Sequence, residues 1–103
     1  MVVELTTVLS SPLRLTALDG ILLSGERWEG GRQPTLLFAH GFGQTRNAWS
    51  GSARALAAQG FPAVTFDARG HGESERVPRG DYHMEQFVAD LVAMADAAAP
   101  AAG

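Results

Sequence analysis

The sequence predicts an α/β fold: an antiparallel hairpin, then parallel strands with crossover helices. One observation is Asp19-Gly20, set between two largely apolar stretches, residues 13–18 and 21–28. A second is "TLLFAH", residues 35–40, an unbroken apolar run of the kind carried by strands buried on both faces. The third is order: that run, a helical pattern, a second apolar run and a second helical pattern follow one another. Strand–helix–strand with buried strands argues for a parallel sheet, because parallel neighbours need a crossover between them.

Each element has its own signal. Asp-Gly tolerates the left-handed backbone of a tight hairpin turn, so residues 13–18 and 21–28 are read as its two strands. "EGGRQP", residues 29–34, is a polar connection rich in turn formers. Residues 35–40 are expected to form a central, parallel strand. Over residues 47–59, Trp49, Ala53, Leu56 and Ala57 recur at helical spacing, with Gly60 placed to stop the helix and Pro62 to forbid its continuation. "AVTFD", residues 63–67, is the next buried strand. A loop rich in glycine and charge, "ARGHGESERVPRGDY", leads to a helix with Met84, Phe87, Val88, Leu91, Val92 and Ala95 as its apolar stripe. His83, with Gln86 three residues on, reads as that helix's cap, and Pro100 as its end.

Composition bounds the function classes. At 103 residues, 46% hydrophobic and 18% charged, the chain reads as one modest globular unit. A net charge of −3 with scattered basic residues, all arginine, offers no footprint for nucleic acid. No apolar run has the length of a membrane span, and the first residues lack the basic flank of a secretion signal. With no cysteine, disulfide and thiolate chemistry are excluded, and a cytoplasmic location is the expectation.

Ligands of open parallel sheets collect at the carboxyl ends of the strands. Two glycine-bearing turns fall there: His40-Gly41-Phe42-Gly43 and Asp67-Ala68-Arg69-Gly70-His71-Gly72. Glycine lets the chain turn sharply and leaves N–H groups unshielded, so such a turn can hold an oxyanion, a phosphate or nothing. "GFGQTR", residues 41–46, nearly matches a dinucleotide fingerprint, with Asp67 about 20 residues on where a ribose-binding acid sits. Arg46, however, occupies the position of the third glycine, and no Gly-Lys-Ser/Thr follows.

The two loops "HGFGQTRNAW" and "FDARGHGES" together resemble the α/β-hydrolase superfamily, in particular its cofactor-independent esterase, epoxide-hydrolase and peroxidase-like members. The second motif is complete as Asp67, Arg69, Gly70, Gly72 and Ser74, and "GDYHMEQFVADL" is similar to the start of the helix before that family's nucleophile strand. The resemblance runs from about Leu13 to the end of the chain. It implies an N-terminal part of an α/β-hydrolase fold, a single incomplete domain over residues 1–103. It implies that the Phe42 backbone N–H is an oxyanion-hole donor shaped by Gly41 and Gly43, with the Phe42 ring lining the substrate pocket. Asp67, Arg69 and their loop are implied to be structural, His40 a hydrogen-bonded loop anchor and His71 a loop residue near the pocket. No cofactor or metal is implied, and the substrate of the parent enzyme is a small ester- or epoxide-like molecule.

The same resemblance exposes what is absent. The family's nucleophile sits in a G-x-S-x-G elbow, followed along the chain by its acid and its histidine base. No such elbow occurs in these residues; Gly72-Glu73-Ser74-Glu75-Arg76 has arginine where the second glycine belongs and no strand before it. The isolated chain is therefore expected to be inactive and marginally stable. Self-association through an exposed strand edge is expected as well. A nucleotide-binding βαβ unit and a catalytically dead interaction module stand as alternatives.

Overall fold

The computed structural model describes residues 8–41, 43–78, 80 and 82–98 of the 103-residue chain. The expected stop at Pro100 lies outside them. Strand β1 (Ser10–Thr16) pairs antiparallel with β2 (Leu22–Trp28), Leu13 facing Gly25 and Leu15 facing Leu23. The Asp19-Gly20 turn joins them as its sequence predicts. Ala17 N–H donates to the Ile21 carbonyl at 2.8 Å and Gly20 N–H to the Ala17 carbonyl at 2.9 Å.

Strand β3 (Leu36–Ala39) leads through a short 3-10 turn, Arg46–Trp49, into helix α1 (Ser50–Ala58). Thr45 caps the turn, its hydroxyl accepting from Asn47 N–H. The helix closes with both Gln59 N–H and Phe61 N–H on the Leu56 carbonyl and Gly60 N–H on that of Ala57. Strand β4 (Ala63–Phe66) follows, then the loop, then helix α2 (Met84–Ala98). At the start of α2 the Gln86 side chain accepts from His83 N–H at 3.1 Å, the reach-back half of a capping box.

The four-stranded sheet has the order β1-β2-β4-β3, with β2–β4 antiparallel and β3–β4 parallel. Among the described residues, β4 is the only strand buried along its whole length. Its alternating side chains feed two cores. Val64 and Phe66 pack with Ile21, Leu23, Met94 and Ala98, while Ala63 joins Trp28, Ala53 and Ala57 on the other face. One helix thus covers each face, as a parallel pair with crossovers requires.

Two expectations are corrected. Residues 36–39 form a parallel strand, but an edge strand among the described residues, with Leu36 to Phe38 half-buried and Ala39 exposed. An apolar run reports that a strand can be covered on both faces; it does not say what lies beside it. The stripe predicted for α2 is also not the face that packs. Asp90, Met94 and Ala98 are buried, whereas Met84 (66% exposed), Val88, Leu91 and Val92 face outward. An ion pair decides that rotation.

Candidate functional site

The ion pair belongs to Arg69, whose side chain is 1% exposed. Its Nε and Nη2 donate to the two oxygens of Asp90 at 2.7 and 2.8 Å, a bidentate fork onto α2. Nη1 and Nη2 also reach Asp19 in the hairpin turn at 2.8 and 3.2 Å. One guanidinium therefore joins the first turn, the loop after β4 and the last helix. Hydrogen bonding to Asp90, then to Asp19, raises the Arg69 pKa against the opposing effect of burial. The Asp19 carboxyl is held below its ordinary value, chiefly by its hydrogen bond to Arg69.

Asp67, fully buried, is the second node. Its carboxylate accepts from Arg46 N–H at 2.7 Å, from Glu73 N–H at 3.1 Å and from the Arg46 guanidinium. Arg46 also pairs with Glu73 at 2.7 Å and Glu26 at 3.4 Å. Burial alone would lower the Arg46 pKa, but hydrogen bonds to Glu73 and Asp67 leave it raised. Gly72 must be glycine here: its φ is +50° and a Cβ would lie 2.5 Å from the Asp67 carboxylate. Ser74 Oγ donates to the Asp67 carbonyl at 2.6 Å and accepts from Ser24 N–H at 2.9 Å, so it is spent inside the loop.

His40 lies at the end of β3. Its Nε2 accepts from Ala68 N–H at 2.9 Å, so that nitrogen carries no proton. Its Nδ1 lies 2.7 Å from the Gly41 carbonyl, which can only accept; the ring is therefore the neutral Nδ1–H tautomer. His71 Nδ1 faces the Arg69 carbonyl at 3.0 Å, and the two imidazole centroids are 5.2 Å apart. His40 thereby ties the turn after β3 to the loop after β4. Within the turn, Gly41 N–H donates to Gln44 Oε1 at 3.1 Å, Gln44 N–H returns to the Gly41 carbonyl, and Gly43 takes φ +83°. Phe42, the residue expected to donate to an oxyanion, lies outside the described residues.

Beside this turn runs an apolar groove of about 220 Å³ between the strand ends and α2, bordered by Ala39, His40, Phe66, Met84, Phe87 and Leu91. A larger hollow of about 380 Å³ lies on the β1–β2 side, next to Arg46, Glu26 and Glu73. The smaller groove is the candidate site, because it opens at the carboxyl ends of β3 and β4 where the glycine turn sits. Of the two arginines that line the hollow, Arg14 and Arg46, the latter is already engaged by three carboxylates. Among the described residues no group of three or more His, Asp or Glu could hold a metal ion, and no helix is long and apolar enough to cross a membrane.

Of the residues singled out in the sequence, His40, Gly41 and Gly43 share the turn after β3. Asp67, Arg69, Gly70, His71, Gly72 and Ser74 share the adjoining loop, linked to that turn through His40 and Arg46. Sequence reasoning missed Arg46, Asp19, Glu73 and Asp90 as members of these networks. Arg46 registered only as a misfit in a glycine fingerprint. Asp90 lies off the apolar stripe that the sequence predicts for its helix, so no local pattern marked it as the partner of Arg69.

A family model described as the alpha/beta hydrolase fold matches residues 34–99. A non-heme haloperoxidase of Rhodococcus erythropolis is 31% identical over 80 residues, covering 78% of this chain and 28% of that protein. An epoxide hydrolase of Caballeronia sordidicola is 34% identical over 70 residues, covering 67% of this chain and 21% of that protein. The crystal structure of an epoxide hydrolase from Vigna radiata superposes with a TM-score of 0.75 at 29% identity, over 85% of this chain and 27% of that one. The chain thus spans less than a third of the length of these relatives.

Proposed function

This chain belongs to the alpha/beta hydrolase fold family, and on that premise we propose that it supplies the oxyanion-hole loop of a cofactor-independent hydrolase of ester, epoxide or similar bonds. The observation that carries the reading is the doubly anchored turn after β3. His40 fixes its start to Ala68, Asp67 fixes Arg46 at its far end, and an apolar groove opens beside it. A turn held at both ends presents backbone donors without reorganisation when charge develops, which is where such stabilisation gains its strength. Gly41 N–H is already used by Gln44, and the family resemblance assigns the donor role to the Phe42 N–H. The similarity to an epoxide hydrolase and a haloperoxidase supports a small-molecule substrate.

These 103 residues hold no G-x-S-x-G elbow. Alone, the chain turns over no p-nitrophenyl ester above the buffer rate, and the nucleophile, acid and base come from other polypeptide. The test is a chimera in which residues 34–99 replace the matched region of an esterase of the family. Phe42→Pro removes the proposed donor and lowers kcat by about 10²–10³, while Phe42→Ala, which keeps the N–H, retains most of it. Equal kcat in the proline variant and the parent chimera refutes the donor role. A nucleotide-binding reading is disfavoured because both Asp67 oxygens are engaged by Arg46 and Glu73 rather than turned toward a ribose.

A further inference from the structure

The turn after β3 is held at two points, and the groups that hold it belong to consecutive residues. His40 Nε2 accepts from Ala68 N–H at 2.9 Å, and Arg46 N–H donates to Asp67 Oδ1 at 2.7 Å. Residues 41–45 therefore span a gap whose width is set by the Asp67–Ala68 step, one planar peptide unit and one short side chain. At the Ala68 end a backbone donor meets a ring that is itself fixed on the Gly41 carbonyl. The Asp67 end is different. It depends on a carboxylate, which turns about two side-chain torsions unless something holds it.

Arg46 supplies that hold. Its Nη1 donates to Asp67 Oδ2 while its own N–H occupies Oδ1, so one residue reaches both oxygens of a buried carboxylate. Glu73 N–H joins it on Oδ2 at 3.1 Å. The rest of the guanidinium is anchored away from the turn: Nε reaches Glu26 on β2 at 3.4 Å and Nη2 reaches Glu73 at 2.7 Å. The end of the turn is thereby referred to the sheet as well as to the adjoining loop. Three carboxylates surround this one cation, and its side chain is 13% exposed. No charge is left over for a substrate anion, so Arg46 acts through the backbone it carries.

We propose that Arg46 is a positioning residue for the oxyanion turn: its guanidinium locks the Asp67 carboxylate, and that carboxylate fixes where residues 41–45 aim their backbone donor. This role rests on the hydrolase reading. Without the guanidinium, Asp67, Glu26 and Glu73 lose the cation that joins them, and their mutual repulsion turns Asp67 out of line with the Arg46 N–H. The donor is then misplaced, while the apolar groove bordered by Ala39, Phe66 and Leu91 keeps its walls. A loss confined to the transition state lowers kcat and leaves KM alone.

The experiment is a chimera in which residues 8–98, Glu26 included, replace the N-terminal part of an esterase of the family. Rates on a p-nitrophenyl ester are taken per active site, counted by titration with an organophosphonate that labels the host nucleophile, so unfolded protein does not enter kcat. Arg46→Ala is expected to lower kcat roughly 10- to 100-fold, the loss that a displacement of about 1 Å brings, with KM unchanged. Arg46→Lys returns one charge beside Asp67 but cannot fork, and its kcat falls between those of the alanine variant and the parent chimera. Should the alanine variant not fold, the lysine variant decides alone, by a reduced kcat at the parent's KM. A parental kcat per site, or a loss carried by KM, overturns the proposal; so does a lysine variant no better than alanine. Phe42→Pro in the same chimera separates the two claims. A low kcat there beside a parental kcat in the Arg46 variants removes the role of Arg46 only, whereas an unchanged kcat there removes the donor and this role with it.

Discussion

Arg69 and Asp90 carry the largest single-residue consequence in this chain. Removing Asp90 takes the bidentate partner from a buried guanidinium and leaves it the partly exposed Asp19 carboxylate alone. Asp90→Ala is therefore expected to cost less than the roughly 3–5 kcal/mol of a fully orphaned buried charge but at least the ~1.5–3 kcal/mol of a hydrogen bond to a charged group, measured by urea unfolding. The Asp19 end of the same cluster gives a pH dependence whose sign is fixed. Its carboxyl is held below the ordinary 3.8, first by the Arg69 hydrogen bond, so the folded state binds its proton less readily than the unfolded chain. That stabilisation is complete above the ordinary value and is lost as pH falls through the depressed one. Asp19→Asn should flatten the acid limb of the stability curve below about pH 4 and leave stability at neutral pH less dependent on further acidification. An acid limb identical to that of the parent chain contradicts the assignment.

At the scale of elements, α2 shows how a helix chooses its buried face. Its apolar residues alone favour the stripe through Met84, Val88 and Leu91, yet the helix is rotated so that Asp90 and Met94 point inward. The bidentate fork from Arg69 holds that rotation, and Met94 fills the core beneath it. Because Val88 is 51% exposed, Val88→Glu is expected to change the monomer's unfolding free energy by no more than about 0.5 kcal/mol, read under conditions where the chain is dilute. A loss several times larger means that Val88 packs inside the monomer. Strand β3 makes the complementary point. Its side chains reach both cores, Leu37 on one face and Leu36 with Phe38 on the other, while on its outer side the Trp49 indole donates to the Ala39 carbonyl.

At the scale of the whole molecule, β4 ties the two cores together, since Val64 and Phe66 serve one face and Ala63 the other. Heat should therefore melt both faces in one transition, with the near-ultraviolet signal of buried Trp28 lost together with helix content. Separate transitions for Trp28 and for the helices contradict the shared role of β4.

The hairpin turn, the order of strands and helices, the cap at His83 and the two glycine loops were legible in the sequence. Each depends on residues close together along the chain: Asp19-Gly20, the Gln86 reach-back to His83, the Asp67–Ser74 motif. The family followed from the same loops and is the one shown by comparison. What the sequence left open depends on partners distant along the chain. Arg46 finds Asp67 and Arg69 finds Asp90 across 21 residues each, Arg69 finds Asp19 across 50, and of these the Asp90 fork turned α2 while the others locked the loops together. Local pattern decided which elements form, because backbone preference and periodicity are local. Only tertiary packing decided which face each element buries and which edge it leaves open, because burial of a charge is settled by the partner that meets it.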